Sequence, residues 1–251
     1  MNECNLYRNT AHLYDLDDRQ LLHDDIKLYL NCVHKTKGNI LELACGTGRV
    51  TLTILKEVSE RQVVALDLSE KMLSVLNAKI AGEPSISNNL TVLRKDMKDF
   101  ELGIKFGLIL LIWRSFQLLR NDEDAVKCLQ SVRRHMEPGS LFLLSVFLPS
   151  ESYGEDWLGK VNLSYETTDN SNNRIRRSTK NVSSDCINQV IEYDIIYDIQ
   201  SPQGDKEIVE EKMILKYYYP DQIKEMVTRY GFIVVDEYYT DTDLFLTLMA
   251  G

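Results

Sequence analysis

The chain lacks any apolar stretch that approaches a membrane span. Its opening residues, MNECNLYRNTAHLYDLDD, lack the basic start and apolar centre of a secretory signal, so no membrane association is expected. Cysteine is sparse and scattered: Cys4, Cys32, Cys45, Cys128 and Cys186 form no C-x-x-C pair. An odd, dispersed set argues against a disulfide framework and against a zinc site, and it fits a reducing cytoplasm. No metal is expected. Positive charge is in deficit, with 29 Lys and Arg against 38 Asp and Glu, and a net charge of -9 repels nucleic-acid phosphates over most of the surface. Internal repeats and low-complexity segments are also missing. The remaining class is a globular α/β domain, for which 251 residues is an ordinary length.

The most informative stretch present is Asn39 to Leu52, NILELACGTGRVTL. An apolar run without alternation reads as a strand buried on both faces, and Gly46 and Gly48 let the chain turn tightly against a ligand. The position of a third glycine in G-x-G-x-x-G is Thr51, so the dinucleotide pattern is incomplete. Glu42 lies inside the apolar run, where a carboxylate is costly to bury unless a cation or donors meet it. A second buried strand, RQVVALDLSEKML, ends in Asp67 about twenty residues after the glycines, a distance at which an acid reaches ribose hydroxyls. Ser69 is a suitable N-cap for the next helix and leaves Asp67 free. A third strand, LTVLRKDMKDF, ends in Asp96-Met97, and a fourth, FGLILLIWRSFQLL, starts at Phe106 and ends near Arg114. Parallel pairing brings these four ends to one sheet edge.

ELACGTG, ALDLSEKML and KDM together resemble the glycine motif, the ribose-binding acid and the adenine loop of the class I S-adenosylmethionine-dependent methyltransferases. The likeness runs from about Tyr7 to the C-terminus. The resemblance implies S-adenosylmethionine as cofactor, with S-adenosylhomocysteine as product. It also implies that Glu42 faces the methionine part and that the backbone at Ala44, Cys45, Gly46 and Gly48 passes close to it. Asp67 would hold the ribose hydroxyls, Leu68 and Met72 would pack on the adenine, Asp96 would accept the adenine amino group, and Met97 would offer its amide. Ile112 and Trp113 would flank the sulfonium end. Tyr7, Arg114, Gln117 and Tyr218 are implied acceptor contacts, and Tyr14 a contact to the cofactor.

Two departures accompany the likeness. Phe106-Gly107-Leu108-Ile109 stands where most relatives carry an acid, so any carboxylate role there is lost. Cys45 replaces a commoner small residue and, with nothing basic beside it, reads as a packing group rather than a nucleophile.

From Gly38 to Phe147 strands and helices alternate, as in a Rossmann-like doubly wound sheet. GSLFLLSVFLP, announced by Pro138-Gly139, is its fifth strand. The tail gives a helix stopped by Gly231 and then an antiparallel edge hairpin, seven strands in all. Residues 1–37 read as a helical cap, 38–149 with 219–251 as the cofactor core, and 150–218 as a small antiparallel β insertion. Within that insertion Ile191, Tyr193, Ile195, Tyr197 and Ile199 alternate onto one face. It would form a wall of the acceptor pocket. Arg174, Arg176 and Arg177 form a basic cluster that a solvated strand face explains more simply than an anion site. Arg133, Arg134 and His135 suit an exposed helix C-terminus.

Tyr7 and Tyr14 admit two readings, as ligand contacts or as amphipathic packing. His12, His23 and Tyr14 are bases by chemistry, though a lone histidine on a helix is more often structural; Arg114 either binds an acidic acceptor or orders its loop. The N/D-P-P-Y/F/W run of base methylation, an acid cluster for metal-assisted catechol chemistry and paired glutamates for arginine methylation are all missing after the fourth strand. A small-molecule nitrogen or oxygen acceptor remains, with the chain a monomer or homodimer. A non-catalytic cofactor-binding module and a nicotinamide-dependent oxidoreductase are the alternatives; Thr51, Glu42 and Asp96-Met97 disfavour the second.

Overall fold

The computed structural model describes residues 6–17, 25–58, 60–83, 88–149 and 153–251. His23 lies outside them. Strands β1 (Ile40–Leu43), β2 (Val63–Asp67), β3 (Leu90–Arg94), β4 (Phe106–Leu111) and β5 (Met136–Phe147) run parallel. Antiparallel β11 (Asp243–Ala250) and β10 (Phe232–Tyr239) complete a seven-stranded sheet ordered β3-β2-β1-β4-β5-β11-β10. Every residue of β1 and β4 is buried, which explains why, Glu42 apart, both strands are free of polar side chains. The order steps outward in both directions from β1. A crevice therefore opens at the carboxyl ends of β1 and β4, the usual ligand position of an open α/β sheet.

Helices α1 (Ile26–Lys35), α2 (Arg49–Glu57), α3 (Glu70–Ala81), α4 (Asp122–His135) and α5 (Pro220–Arg229) pack around this sheet. The Ser69 hydroxyl accepts from the Met72 amide and caps α3. Asn121 caps α4, whose first turn holds Asp122, Glu123 and Asp124 and whose last turn holds Arg133, Arg134 and His135, as the helix dipole favours. That end is not simply solvated. His135 is 2% exposed, accepts from the Leu102 amide at 3.1 Å through Nε2 and stacks 4.5 Å from Phe100.

Strands β6 (Val161–Thr168), β7 (Arg174–Asp185), β8 (Val190–Gln200) and β9 (Lys206–Lys216) make a separate antiparallel sheet. Its inner face carries the alternating Ile191, Tyr193, Ile195 and Tyr197 expected from sequence, and Ile175, Ile195, Tyr197 and Met213 bury Leu13.

Three details depart from the sequence reading. LYRNTAHLYDL is not a long helix but a turn at Tyr7 leading into a 3-10 turn over Ala11–Leu16. Its apolar spacing serves tertiary contacts, since Ala11 and Leu13 are the residues it buries. Strand β5 begins at Met136, before Pro138-Gly139, and its register against β4 shifts between the Phe106 and Leu108 pairs. Proline removes one ladder donor and Gly139, at φ 77°, bends the strand, so the dipeptide marks an irregularity rather than a beginning. Gly107 is the third. A Cβ there would lie 1.7 Å from the Lys37 carbonyl oxygen, and its amide donates to Asn39 at 3.0 Å. The loop before β1 thus crosses β4 at this position, and only glycine admits it.

Candidate functional site

The turn after β1 is built from strained backbone. Ala44 at φ 53°, Gly46 at 57° and Gly48 at 82° all adopt left-handed conformations. The Gly48 amide donates to the Cys45 carbonyl at 3.0 Å, and Cys45 in turn donates to Leu66 at 2.9 Å, tying the turn to β2. A Cβ on Gly48 would meet Leu76 at 2.3 Å, so glycine also sets how closely α3 approaches. The Cys45 thiol packs with Ala65, Leu73 and Leu76, and burial pushes its pKa far up, which leaves it no thiolate character.

Asp67 ends β2 beside this turn. Its Oδ2 accepts from the Gly46 amide at 2.8 Å and its Oδ1 from the Ser69 amide at 2.7 Å. The carboxylate, fixed by these amides, lines a cavity of about 1110 Å3. Burial raises the Asp67 pKa against those amides. Ala44, Gly46, Leu68, Met72, Asp96, Met97 and Trp113 line the same cavity. Asp96 is oriented by the Lys98 amide at 2.9 Å.

Glu42 does not reach the cavity. It is 3% exposed, lies behind the turn, and accepts a hydrogen bond from the Thr51 hydroxyl. This explains the missing third glycine: Thr51 stands there as the donor for a buried acid nine residues earlier. Desolvation pushes the Glu42 pKa up to about 7, only partly opposed by Thr51 and Arg49.

The sign of the linkage follows. Between the unfolded value of about 4.3 and the folded one, the native chain binds more protons than the unfolded chain, so stability falls as pH rises. Asp67 and Asp25, also raised by burial, act in the same direction. Urea titrations at pH 5 and pH 8 should show Glu42→Gln removing a pH-dependent loss on the order of 3 kcal/mol. Thr51→Val should cost about 1–3 kcal/mol at pH 8 and less at pH 5, because only the ionised acid fully needs its donor.

The N-terminal segment straps across the cavity. The Thr47 hydroxyl donates to Asp15 at 2.7 Å, and Lys79 reaches Asp15 at 2.7 Å and the Thr47 carbonyl at 2.9 Å. The Ser69 hydroxyl donates to the Leu6 carbonyl. On the opposite side the Asn9 amide donates to Glu211 at 2.9 Å and its side chain to the Glu210 carbonyl at 3.1 Å. The strap therefore links the glycine turn to the second sheet. Tyr7 and Tyr14 line the cavity, edge to face with centroids 5.3 Å apart. Burial raises both, Tyr14 to about 12.

The loop after β4 forms the third wall. Trp113 and Arg114 are left-handed at φ 57° and 64°. Arg114 makes a two-pronged pair with Asp243 of β11, at 2.7 and 2.9 Å, which fixes the loop. Arg49 lies 4.7 Å above Trp113 and is paired with Asp25, which also accepts from Tyr29 at 2.5 Å. On the second sheet Arg177, Tyr193 and Tyr197 face inward.

Besides Glu42, the expected site residues Gln117, Tyr218, Ile112 and His12 lie outside the cavity lining. Gln117 is fully buried: Phe147 donates its amide to the Gln117 Oε1 at 2.7 Å, so this side chain extends the ladder at the end of β5. Tyr218 packs against Phe116 and donates to Asp122 at 3.3 Å. Ile112 gives its side chain to the core with Tyr29 and Val50. His12 is exposed and outside the cavity lining. Sequence reasoning did not single out Asp15, Arg49 or Asp243. Their partners are distant in the chain and left no local signal.

Residues 40–139 match the family described as methyltransferase domain. The match covers a methyltransferase domain within the chain, and the seven-stranded sheet has the fold of S-adenosylmethionine-dependent methyltransferases of known structure. It is similar to the dTDP-3-amino-3,4,6-trideoxy-alpha-D-glucopyranose N,N-dimethyltransferase of Streptomyces venezuelae, 28% identical over 121 residues, 48% of this chain and 47% of that protein. Among solved structures it resembles the CcbJ methyltransferase of Streptomyces caelestis, with TM-score 0.80, 18% identity and 100% of both chains covered. An S-adenosylmethionine-dependent methyltransferase from Clostridium acetobutylicum ATCC 824 gives TM-score 0.75 at 18% identity, over 98% of this chain and 100% of that one. The chain spans about half the length of the curated relatives it matches. Among the described residues no helix is long and apolar enough to cross a membrane.

Proposed function

We propose that the chain transfers a methyl group from S-adenosylmethionine to a nitrogen of a small molecule by in-line displacement. The observation that carries this reading is the charge at the glycine turn. Asp67, raised by burial, lies at the turn, Asp96 lies on the same sheet edge, and the Asp15 carboxylate, paired with Lys79, sits on Thr47, just before the first turn of α2. A dinucleotide places its diphosphate at that helix start. Here a second anion would meet Asp15, whereas a ligand with net positive charge meets Asp15, Asp67 and Asp96, all of which line the cavity.

The residues present fit that cofactor. Asp67, fixed at the cavity wall by backbone amides, would hold ribose hydroxyls; Leu68 and Met72 would pack on adenine; Asp96 and the Met97 amide would read its edge. When bound, S-adenosylmethionine supplies a methyl group already activated on a sulfonium. The chain then has to align the acceptor and exclude water, and proximity alone can account for about 7–11 kcal/mol of barrier. The strap and the second sheet wall off the cavity, and the Arg114–Asp243 pair fixes the loop on its third side. About 1110 Å3 leaves room for an acceptor beside the cofactor.

Nitrogen is preferred to oxygen because a neutral amine brings its own lone pair, while a hydroxyl usually needs a base. Tyr14, held protonated up to about 12, is a poor base near neutrality, and no histidine lines the cavity among the described residues. Two relatives are named for such chemistry, the N,N-dimethyltransferase above and the sugar N-methyltransferase KedS8 from Streptoalloteichus sp ATCC 53650. The test is release of S-adenosylhomocysteine across amines and their hydroxyl counterparts. Turnover confined to amines is expected; equal turnover of alcohols would remove the preference for nitrogen.

A further inference from the structure

Arg177 is separated from its neighbours by strand parity. Arg174 and Arg176 point to the outer face of β7, where both pair with Glu166 at 2.8 Å. Arg177 falls on the opposite face with Ile175, Thr179 and Asn181 and enters the cavity. The other cavity cations that the fold uses have acids: Arg114 has Asp243, Arg49 has Asp25, and Lys98 has Asp124 at 3.3 Å. Among the described residues no carboxylate stands within ion-pair distance of Arg177. Its Nη1 donates to the Ser164 hydroxyl at 2.8 Å, and its guanidinium lies 6.0 Å from the Tyr197 ring centre. Glu211, the acid on the same sheet face, is taken by the Asn9 amide.

We infer that Arg177 is the anion-binding residue of the acceptor subsite, and that the acceptor is a small amine that also carries a carboxylate or a phosphate. The inference rests on the methyl-transfer reading above. A guanidinium offers five donors in a planar fork, and bonds to Ser164 and Tyr197 still leave donors to match two oxygens of an anion. A partly buried cation without a counter-charge is costly, and an incoming anion relieves that cost. Tyrosines 7, 14, 193 and 197 surround it with surface that is apolar yet able to donate hydrogen bonds. Tyr14 lies within electrostatic reach of both Arg49, beside the glycine turn, and Arg177. An acceptor anchored at Arg177 therefore extends past Tyr14 toward the cofactor edge, a geometry that suits an amine a few bonds from its anion.

The experiment uses the full chain saturated with S-adenosylhomocysteine and labelled with 15N-arginine. The Arg177 Nε–H resonance is assigned by its loss in Arg177→Lys, then followed during titration with sodium acetate, sodium phosphate and sodium chloride. A saturating shift at this resonance with acetate or phosphate, half complete at about 1–10 mM, is expected, and the stronger arm names the anion. The Arg177→Gln protein, binding S-adenosylhomocysteine within about twofold of the parent, should lose the anion-induced rise in Tm. A linear drift matching that of the exposed Arg174, or a response equal to chloride, would overturn the inference and leave Arg177 as a support for Tyr197. Calorimetry of S-adenosylhomocysteine itself separates the two readings: failure there defeats methyl transfer, whereas binding with a silent Arg177 defeats only the anion site.

Discussion

Gly107→Ala should yield little or no folded protein. The added Cβ would lie 1.7 Å from the Lys37 carbonyl oxygen and 2.9 Å from its carbon, and both are backbone atoms that no rotamer can move. The residue sits within β4, fully buried at the sheet centre, and donates its amide to Asn39. Relief would require the loop to leave the strand, breaking that bond and uncovering the start of β1. The expected loss is about 4–5 kcal/mol or more, comparable with the whole stability of many domains. Gly103→Ala is the control. Gly103 has a positive φ of 67° but nothing within 4 Å of a new Cβ, so its cost should stay near the intrinsic left-handed penalty of about 1–2 kcal/mol. Soluble yield and urea midpoints compare the two. A Gly107→Ala protein within about 1 kcal/mol of the parent would show that the loop does not cross β4 as described.

Asp67→Ala should weaken S-adenosylhomocysteine binding by about 100-fold or more while leaving a folded chain. Two hydrogen bonds from ribose hydroxyls to one carboxylate are worth about 1.5–3 kcal/mol each. The fold tolerates the change because burial already disfavours this charge, and its removal offsets part of the loss of the Gly46 and Ser69 contacts. Asp67→Asn keeps the shape and one acceptor and should fall between. Since burial raises the Asp67 pKa, the parent's affinity should also decline as pH falls and the carboxylate protonates. Calorimetry at two pH values, with urea midpoints measured alongside, separates a binding loss from an unfolding one. An Asp67→Ala protein that binds as tightly as the parent would remove Asp67 from the cofactor site.

The parts of this molecule legible in its sequence are those specified locally. β1, the glycine turn and α2 announce themselves because a doubly buried strand must be apolar and the turn needs left-handed backbone. Asp67 was placed by spacing, and the inner face of β8 by alternation. Parity alone also separates Arg177 from Arg174 and Arg176, a signal that reading them as one basic cluster conceals. What sequence could not show depends on partners far along the chain. Gln117 meets Phe147 thirty residues away, Tyr218 meets Asp122 ninety-six residues away, and Asp15 reaches Thr47 across thirty-two. The N-terminal strap reads as helix because its apolar spacing fits one, yet that spacing packs Tyr7, Leu13 and Leu16 against the second sheet.

The most direct test of the cofactor reading is calorimetric titration of the unmodified chain with S-adenosylmethionine, S-adenosylhomocysteine and NADH. Saturable binding of the first two at about micromolar concentration, with no heat from NADH, is the predicted result. Binding of NADH alone would contradict the account, because Asp15 would then have yielded the start of α2 to a diphosphate.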